Sequence, residues 1–283
     1  MGSLWEAEGL GSPQLLLCAG DLVIDPAHRR HGLFALIHEA AQDDLVSATI
    51  PYLLSLSASP TVRLLSLQSG WQSAGQFLQL RRPGKRKPER PWQPFRILDQ
   101  ELAGGDGPVE GISITRTPRP EAMADLVARI GHDGRIRQVR SAAYLQWRFN
   151  NPRSSYRFCY LDRGGLRAYL VLQTRSLAEP DMVRILDWEG AVPDDRRAVL
   201  KAALGPIEDR VEIRRSSLPD SDQASLAQAG FMAIVSRSVT GPHTSLLVAP
   251  MPAAGGAGPW LLGRREVLDL SSWDHRALYS DGG

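Results

Sequence analysis

Apolar side chains run almost unbroken over residues 15–24, stop at Asp25-Pro26, and return with a different period. Beyond a short basic stretch, Leu33, Leu36, Ile37, Ala40 and Ala41 recur at i, i+3, i+4, i+7 and i+8, the spacing of one buried stripe on a helix. The pattern predicts a strand over 15–24 and a helix over 29–42. A second apolar run at 52–57 predicts a buried strand, which the helix joins to the first in parallel as a right-handed crossover. A short helix over 60–69 stops at Gly70, a natural left-handed terminus. A strand over 76–80 follows. Residues 1–13, rich in Gly and Ser, read as a loose lead-in.

The second half opens with a strand over 111–115. A helix over 120–130 follows, with Pro120 at its start and Met123, Leu126, Val127 and Ile130 on one face. A short helix lies within 141–152, its Tyr144, Trp147 and Phe149 read as core. Strands over 156–161 and 166–173 flank Asp162-Arg163-Gly164-Gly165, a hairpin signal. Then come strand 182–187, helix 194–204, strand 211–215, helix 222–229 and strand 231–236. Residues as well as elements recur. Pro26-Ala27-His28-Arg29-Arg30 is echoed by Pro193-Asp194-Asp195-Arg196-Arg197, and Gln68-Ser69-Gly70-Trp71 by Gln228-Ala229-Gly230-Phe231. An internal repeat is the economical explanation.

The chain's 283 residues leave room for two cores of ordinary size. Its 33 basic and 31 acidic residues nearly cancel, so no overall field draws it to nucleic acid or to an acidic membrane. The cationic, proline-rich stretch at 81–94 reads as a solvated, semi-rigid linker. A nucleic-acid patch would interleave stacking aromatics with its charges, and here none alternate. No run of about 18 apolar residues and no leader pattern is visible, so a soluble cytoplasmic protein is expected. Cys18 and Cys159 sit in apolar runs without metal-ligand spacing, which reads as buried thiols and no metal.

Chemistry concentrates where the first strand meets the first helix. The leading N–H groups of a helix have no partner inside it, and its dipole places partial positive charge there. Arg29, Arg30 and His31 add charge or donors, and Gly32, lacking a Cβ, lets a ligand oxygen approach the backbone. Such a site suits a pyrophosphate. A ligand-free turn can carry the same residues, and spacing alone leaves both readings open.

The segment Ile24-Asp25-Pro26-Ala27-His28-Arg29-Arg30-His31-Gly32-Leu33-Phe34 resembles the acyl-CoA-binding segment of the GNAT superfamily of N-acyltransferases, whose pattern is Val-x-Pro-x-x-Arg/Gln-x-x-Gly-x-Gly/Ala. Ile24, Pro26, Arg29 and Gly32 match; Phe34 departs, standing where the pattern has a small residue. Tyr144 to Pro152 looks like the Leu-x-Trp-Arg-aromatic-x-x-Pro signature of one tandem-GNAT group, and Trp273 to Asp281 like its aromatic tail.

The resemblance implies an α/β protein with mixed sheets in two GNAT copies, the first lacking its N-terminal strands. The copies would fall at 1–80 and 109–250, with a linker at 81–108 and a tail at 251–283. It implies acetyl-CoA, or another acyl-CoA, as cosubstrate, held by Val23, Ile24, Arg29, Arg30, His31, Gly32, Leu33 and Phe34, with acyl transfer to the amine of a small molecule or peptide. Members of the family place a tyrosine general acid four residues before the helix-ending glycine; that position here is Ser66, and Asp21 is the carboxylate able to relay an amine proton. In the second copy Val199 falls at the position of Gly32, with Asp194 and Asp195 ahead of the arginines, so that copy reads as degenerate for cofactor. A non-catalytic binding or regulatory module is the alternative. The sheet edge left by the truncation implies pairing, with a homodimer as the expectation.

Overall fold

The computed structural model describes residues 2–20, 24–29, 31–45, 50–56, 58–85, 111–175, 182–234, 245–251 and 260–279. Strands β1 (Gly2–Glu6) and β2 (Gln14–Cys18) precede helix α1 (Leu33–Leu45). Then come β3 (Tyr52–Ser55), α2 (Pro60–Gln68), β4 (Gln72–Gln76) and β5 (Leu78–Arg82). The second half runs β6 (Ile112–Thr115), α3 (Pro120–Ile130), β7 (Arg137–Gln138), α4 (Ala142–Phe149), β8 (Ser154–Asp162), β9 (Leu166–Arg175) and β10 (Met182–Gly190). It continues with α5 (Pro193–Leu204), β11 (Arg210–Arg215), α6 (Asp220–Gln228), β12 (Met232–Ala233) and β13 (Ser245–Pro250), and ends with β14 (Leu261–Leu262) and β15 (Arg265–Glu266).

Two mixed sheets form, ordered β4-β13-β3-β2-β1-β7 and β12-β5-β11-β10-β9-β8-β6. Each contains one parallel pair bridged by a helix: β2 and β3 across α1, β10 and β11 across α5. The copies close alike. Trp71 N–H donates to Ser66 O at the end of α2, and Phe231 N–H to Leu226 O at the end of α6, with Gly70 and Gly230 left-handed at φ +88° and +85°.

The last strand of each copy lies in the other sheet. β5 sits between β11 and β12, and β13 between β3 and β4, all antiparallel. The strand expected over 76–80 is therefore two strands, and Phe77, stacked on His275 at 3.9 Å, marks the passage between sheets. Arg81 and Arg82, expected in a linker, are strand residues. Arg81 pairs with the buried Glu212 at 2.9 Å, and Arg82 donates to the carbonyls of Leu204 and Ile207. The rest of the basic stretch, from residue 86, lies outside the described residues.

The lead-in is another correction: β1 pairs with β2, and its Trp5 is fully buried. A third concerns α1. It begins at Leu33, not Arg29, because Gly32 has φ +72°, outside the helical region. Its inward face is Phe34 and His38, whose rings meet at 4.7 Å, and His38 in turn meets the buried Trp71 edge-on at 5.3 Å. The predicted stripe faces elsewhere: Leu36 is 56% and Ile37 43% exposed. Of the predicted second strand β3 covers Tyr52–Ser55, and of the strand at 231–236 β12 covers Met232–Ala233; residues 57, 235 and 236 lie outside the described residues.

Residues 260–279, within the expected tail, pack into the fold. Trp273 is fully buried, edge-on to Trp5 at 5.6 Å, and Tyr279 meets Trp5 at 5.5 Å. Arg276 joins Asp187 at 2.7 Å, Asp274 at 2.9 Å and Glu189 at 2.5 Å, while Arg140 reaches Asp187 and Glu189 from the other side. The segment thus fastens the first sheet to the second. Burial also pushes the His275 imidazole down to about 3, outweighing the attraction of Asp274. The unfolded chain takes up that proton near pH 6.5. Stability contributed by neutral His275 is therefore full above pH 6.5 and is lost as pH falls toward 3. His275→Phe keeps the stack on Phe77 and is expected to flatten the loss of urea stability between pH 6.5 and 4.5; an undiminished loss in the variant contradicts this assignment.

Candidate functional site

The site is built where β2 and β3 part. Their parallel pairing covers Leu17 with Leu53 and Cys18 with Leu54, and among the described residues its last bond runs from Ala19 N–H to Leu54 O at 2.7 Å. The Asp25 carboxylate accepts from Ala27 N–H at 2.8 Å and caps a single 3₁₀ turn, Pro26–His28. Arg29 Nε donates back to Ile24 O at 3.0 Å, which closes the loop on itself.

Gly32 is the pivot. Its carbonyl accepts from Ala35 and Leu36 N–H at 3.0 and 3.3 Å, so the Leu33 and Phe34 N–H groups precede the first helical bond. A Cβ placed on Gly32 would have nothing within 4 Å among the described residues. Asp25, His28, Arg29, His31 and Gly32 are exposed around this opening, whereas Phe34 turns its ring inward. The Phe34 departure from the family pattern is accommodated in this way: the bulk goes toward His38 and leaves the loop's outer face free. Burial lowers the His38 imidazole below its ordinary value.

Ile24, Arg29, His31, Gly32, Leu33 and Phe34 are thus brought together. Asp21, Val23 and Arg30 lie outside the described residues. Ser66 is placed on α2, 2% exposed.

The second copy differs at every one of these points. Its helix α5 starts directly at Pro193, so the loop between turn and helix is absent, and Val199 is a fully buried residue inside that helix rather than a loop position. No side chain caps its N-terminus; Asp194 pairs with Arg197 at 2.9 Å and Asp195 with Arg167 at 3.2 Å. Arg196 folds back onto Asp222 and the Gly190 carbonyl.

The divergence of β10 from β11 is filled as well. Their pairing stops at Ile185 and Ile213, and the Trp188 carbonyl beyond it accepts from Arg215 and Arg276, both at 3.2 Å. Arg276 bridges to Arg215 in antiparallel fashion, and Ser216 N–H donates to His275 O. The C-terminal segment therefore occupies the divergence of β10 from β11 in the second copy. The pattern of Asp274-His275-Arg276 as a strand-pairing segment carried no periodic signal, which is why the sequence did not reveal it.

Chemically, the first loop offers backbone N–H groups at a helix start that make no bond among the described residues, with two imidazoles and a guanidinium around a glycine, an arrangement suited to a multiply charged anion. Among the described residues no group of His, Cys, Asp and Glu could hold a metal ion, and no helix is long and apolar enough to cross a membrane. Cys159 is buried and Cys18 half-buried; neither forms a disulfide, and burial pushes their thiols up to about 12 and about 11.

No family model and no curated protein sequence matches the chain. Solved structures do. It is similar to a GCN5-related N-acetyltransferase from Anabaena variabilis, with 12% identity and a TM-score of 0.55, over 87% of this chain and 58% of that one. A conserved protein of unknown function from Enterococcus faecalis V583 matches equally, with 12% identity and a TM-score of 0.55, over 89% of this chain and 58% of that one. The chain thus spans about 58% of the length of these two relatives. With two mixed sheets, each built on a parallel pair bridged by a helix, this protein has the GNAT fold.

Proposed function

We propose that this protein is an acyl-CoA-dependent N-acyltransferase that works through its first copy, with acetyl-CoA as the donor and an amine of a small molecule or peptide as the acceptor. The observation that carries the reading is the open, left-handed Gly32 at the start of α1, beside the parting of β2 and β3. The residues present fit the group. Gly32, Leu33 and Phe34 would offer backbone N–H to its pyrophosphate, and Arg29 and His31 would offset its charge. Bound acyl-CoA would supply an activated thioester, and the chain would hold it against the amine and exclude water. The second copy, lacking the loop and with its cleft filled by residues 274–276, serves the fold.

Calorimetric titration with acetyl-CoA tests this. Wild type is expected to release or absorb heat saturably, and Gly32→Val to lose that signal while keeping its far-UV circular dichroism. A β-branched side chain at φ +72° costs about 1–2 kcal/mol locally and fills the opening. An absence of binding in the wild type removes the proposal.

A second reading is a GNAT-like module that binds acyl-CoA without turnover. Ser66 favours it: the position where the family resemblance places a general acid is buried here, and its counterpart in the other copy is the core residue Leu226. Steady thiol release with amine acceptors would exclude this alternative.

A further inference from the structure

Between the two sheets, around the Trp5 ring, the chain buries more hydrogen-bonding atoms than it pairs. Val139 N–H donates to Leu4 O at 2.8 Å, which makes the adjoining Trp5–Gln138 pair of β1 and β7 a non-hydrogen-bonded one, its side chains close together on one face. Tyr279 meets Trp5 edge-on at 5.5 Å, and His275 meets Tyr279 edge-on at 6.0 Å. Arg140, two residues beyond Gln138, is close enough for its charge to act on the Tyr279 hydroxyl. Gln138, Arg140, His275 and Tyr279 are between 1% and 4% exposed. Five of their atoms, Gln138 Nε2 and Oε1, Arg140 Nε, His275 Nδ1 and the Tyr279 hydroxyl oxygen, are shut off from solvent and have no hydrogen-bond partner among the described residues.

Left dry, five buried polar atoms would cost as much as the whole stability of an ordinary domain. Their chemistry says what relieves the cost. Gln138 Nε2 and Arg140 Nε are donors, Gln138 Oε1 is an acceptor, and the Tyr279 hydroxyl and a neutral imidazole serve either way. An ion does not suit them, because the charges around them already balance. The carboxylates of Asp187, Glu189 and Asp274 face the guanidiniums of Arg140, Arg215 and Arg276. Arg135 and Arg214, which also act on Asp274 and His275, are held by Asp133 and Glu212. His275 and Tyr279 are themselves uncharged at neutral pH, burial having pushed the one down to about 3 and the other up to about 12. The occupant must be neutral, small, and able to donate and accept at once. A buried water makes about three hydrogen bonds, so about two waters would satisfy the five atoms. We infer that Gln138, Arg140, His275 and Tyr279 line an internal water site beside Trp5, through which the C-terminal segment is hydrogen-bonded to β7.

Two substitutions of similar volume and a water count test this on the full chain, without acyl-CoA and independently of any catalytic role. Tyr279→Phe removes one hydroxyl and Gln138→Leu one amide. In a dry site either change deletes an orphan and stabilises the fold or leaves it alone, whereas in a hydrated site it strips a water of its partner. Each variant is expected to lower the folding equilibrium constant at pH 7 about fivefold, read from urea denaturation. The double variant is expected to lose less than the product of the two, since both act on shared water. Oxygen-17 relaxation dispersion of the solvent counts the waters held inside the protein, and the double variant is expected to hold about two fewer than wild type. A stabilised or unchanged single variant, strictly multiplicative losses, or an unaltered water count would each overturn the inference.

Discussion

Arg276→Ala is expected to destabilise the protein by roughly 3–5 kcal/mol, the cost typical of removing one partner from a buried ion cluster. The guanidinium touches three carboxylates, those of Asp187, Glu189 and Asp274, and all three are buried. Nearby arginines hold the Asp187 and Asp274 carboxyls well below the usual range despite burial, so both are anions in the fold. Without Arg276, Asp187 keeps Arg140 and the Tyr169 hydroxyl at 2.6 Å, but among the described residues Asp274 keeps the more distant Arg215 and Arg135. Repulsion among the three is then less compensated. Urea denaturation at pH 7 measures the loss, and Arg276→Lys is expected to fall between the two proteins, since an ammonium lacks the planar fork that bridges several carboxylates. A change under about 0.5 kcal/mol for Arg276→Ala would show the cluster to be an ornament of the fold.

Trp273→Ala is the other large effect, expected at about 3–5 kcal/mol for an indole deleted from a packed core. Its ring is fully buried against Trp5, its Nε1–H donates to Val267 O at 3.0 Å, and its backbone bridges to Ile136. Trp5 and Trp273 thus join β1 to a segment far from it in sequence. The losses for Trp5→Ala and Trp273→Ala are expected not to add, because both open the same space. Thermal unfolding of the two single variants and the double variant provides the check, with strict additivity counting against a shared core.

Local signals made the repeated part of the fold legible. The Gly70 stop and the Pro120 start placed α2 and α3 close to their observed bounds, and the terminal Gly70-Trp71 and Gly230-Phe231 pairs serve in the structure as matched caps. Periodicity could not say which flank of α1 faces inward. Leu36 and Ile37 had the right spacing, but Trp71 supplied an aromatic surface that took Phe34 and His38 instead.

Long-range pairing was equally invisible. Leu246-Leu247-Val248-Ala249 is a short apolar run that could have been read as a buried strand, yet nothing local assigns it to the sheet of β3 and β4. The loop around Gly32 was the readable part of the site, because its residues are contiguous. The filled cleft of the second copy was not, since it depends on Arg276 meeting Trp188 from 88 positions away.

The exchange of β5 and β13 makes the two halves of the chain mutually completing pieces. A peptide ending after β5 would own a strand that belongs beside β11 and would lack the one that separates β3 from β4. The piece starting at β6 would have the reciprocal defect. Neither is a self-sufficient module, and each displays a strand-wide gap shaped for the other. A backbone cut between β5 and β6 would therefore yield a split protein held together by sheet pairing, with reassembly written into the topology.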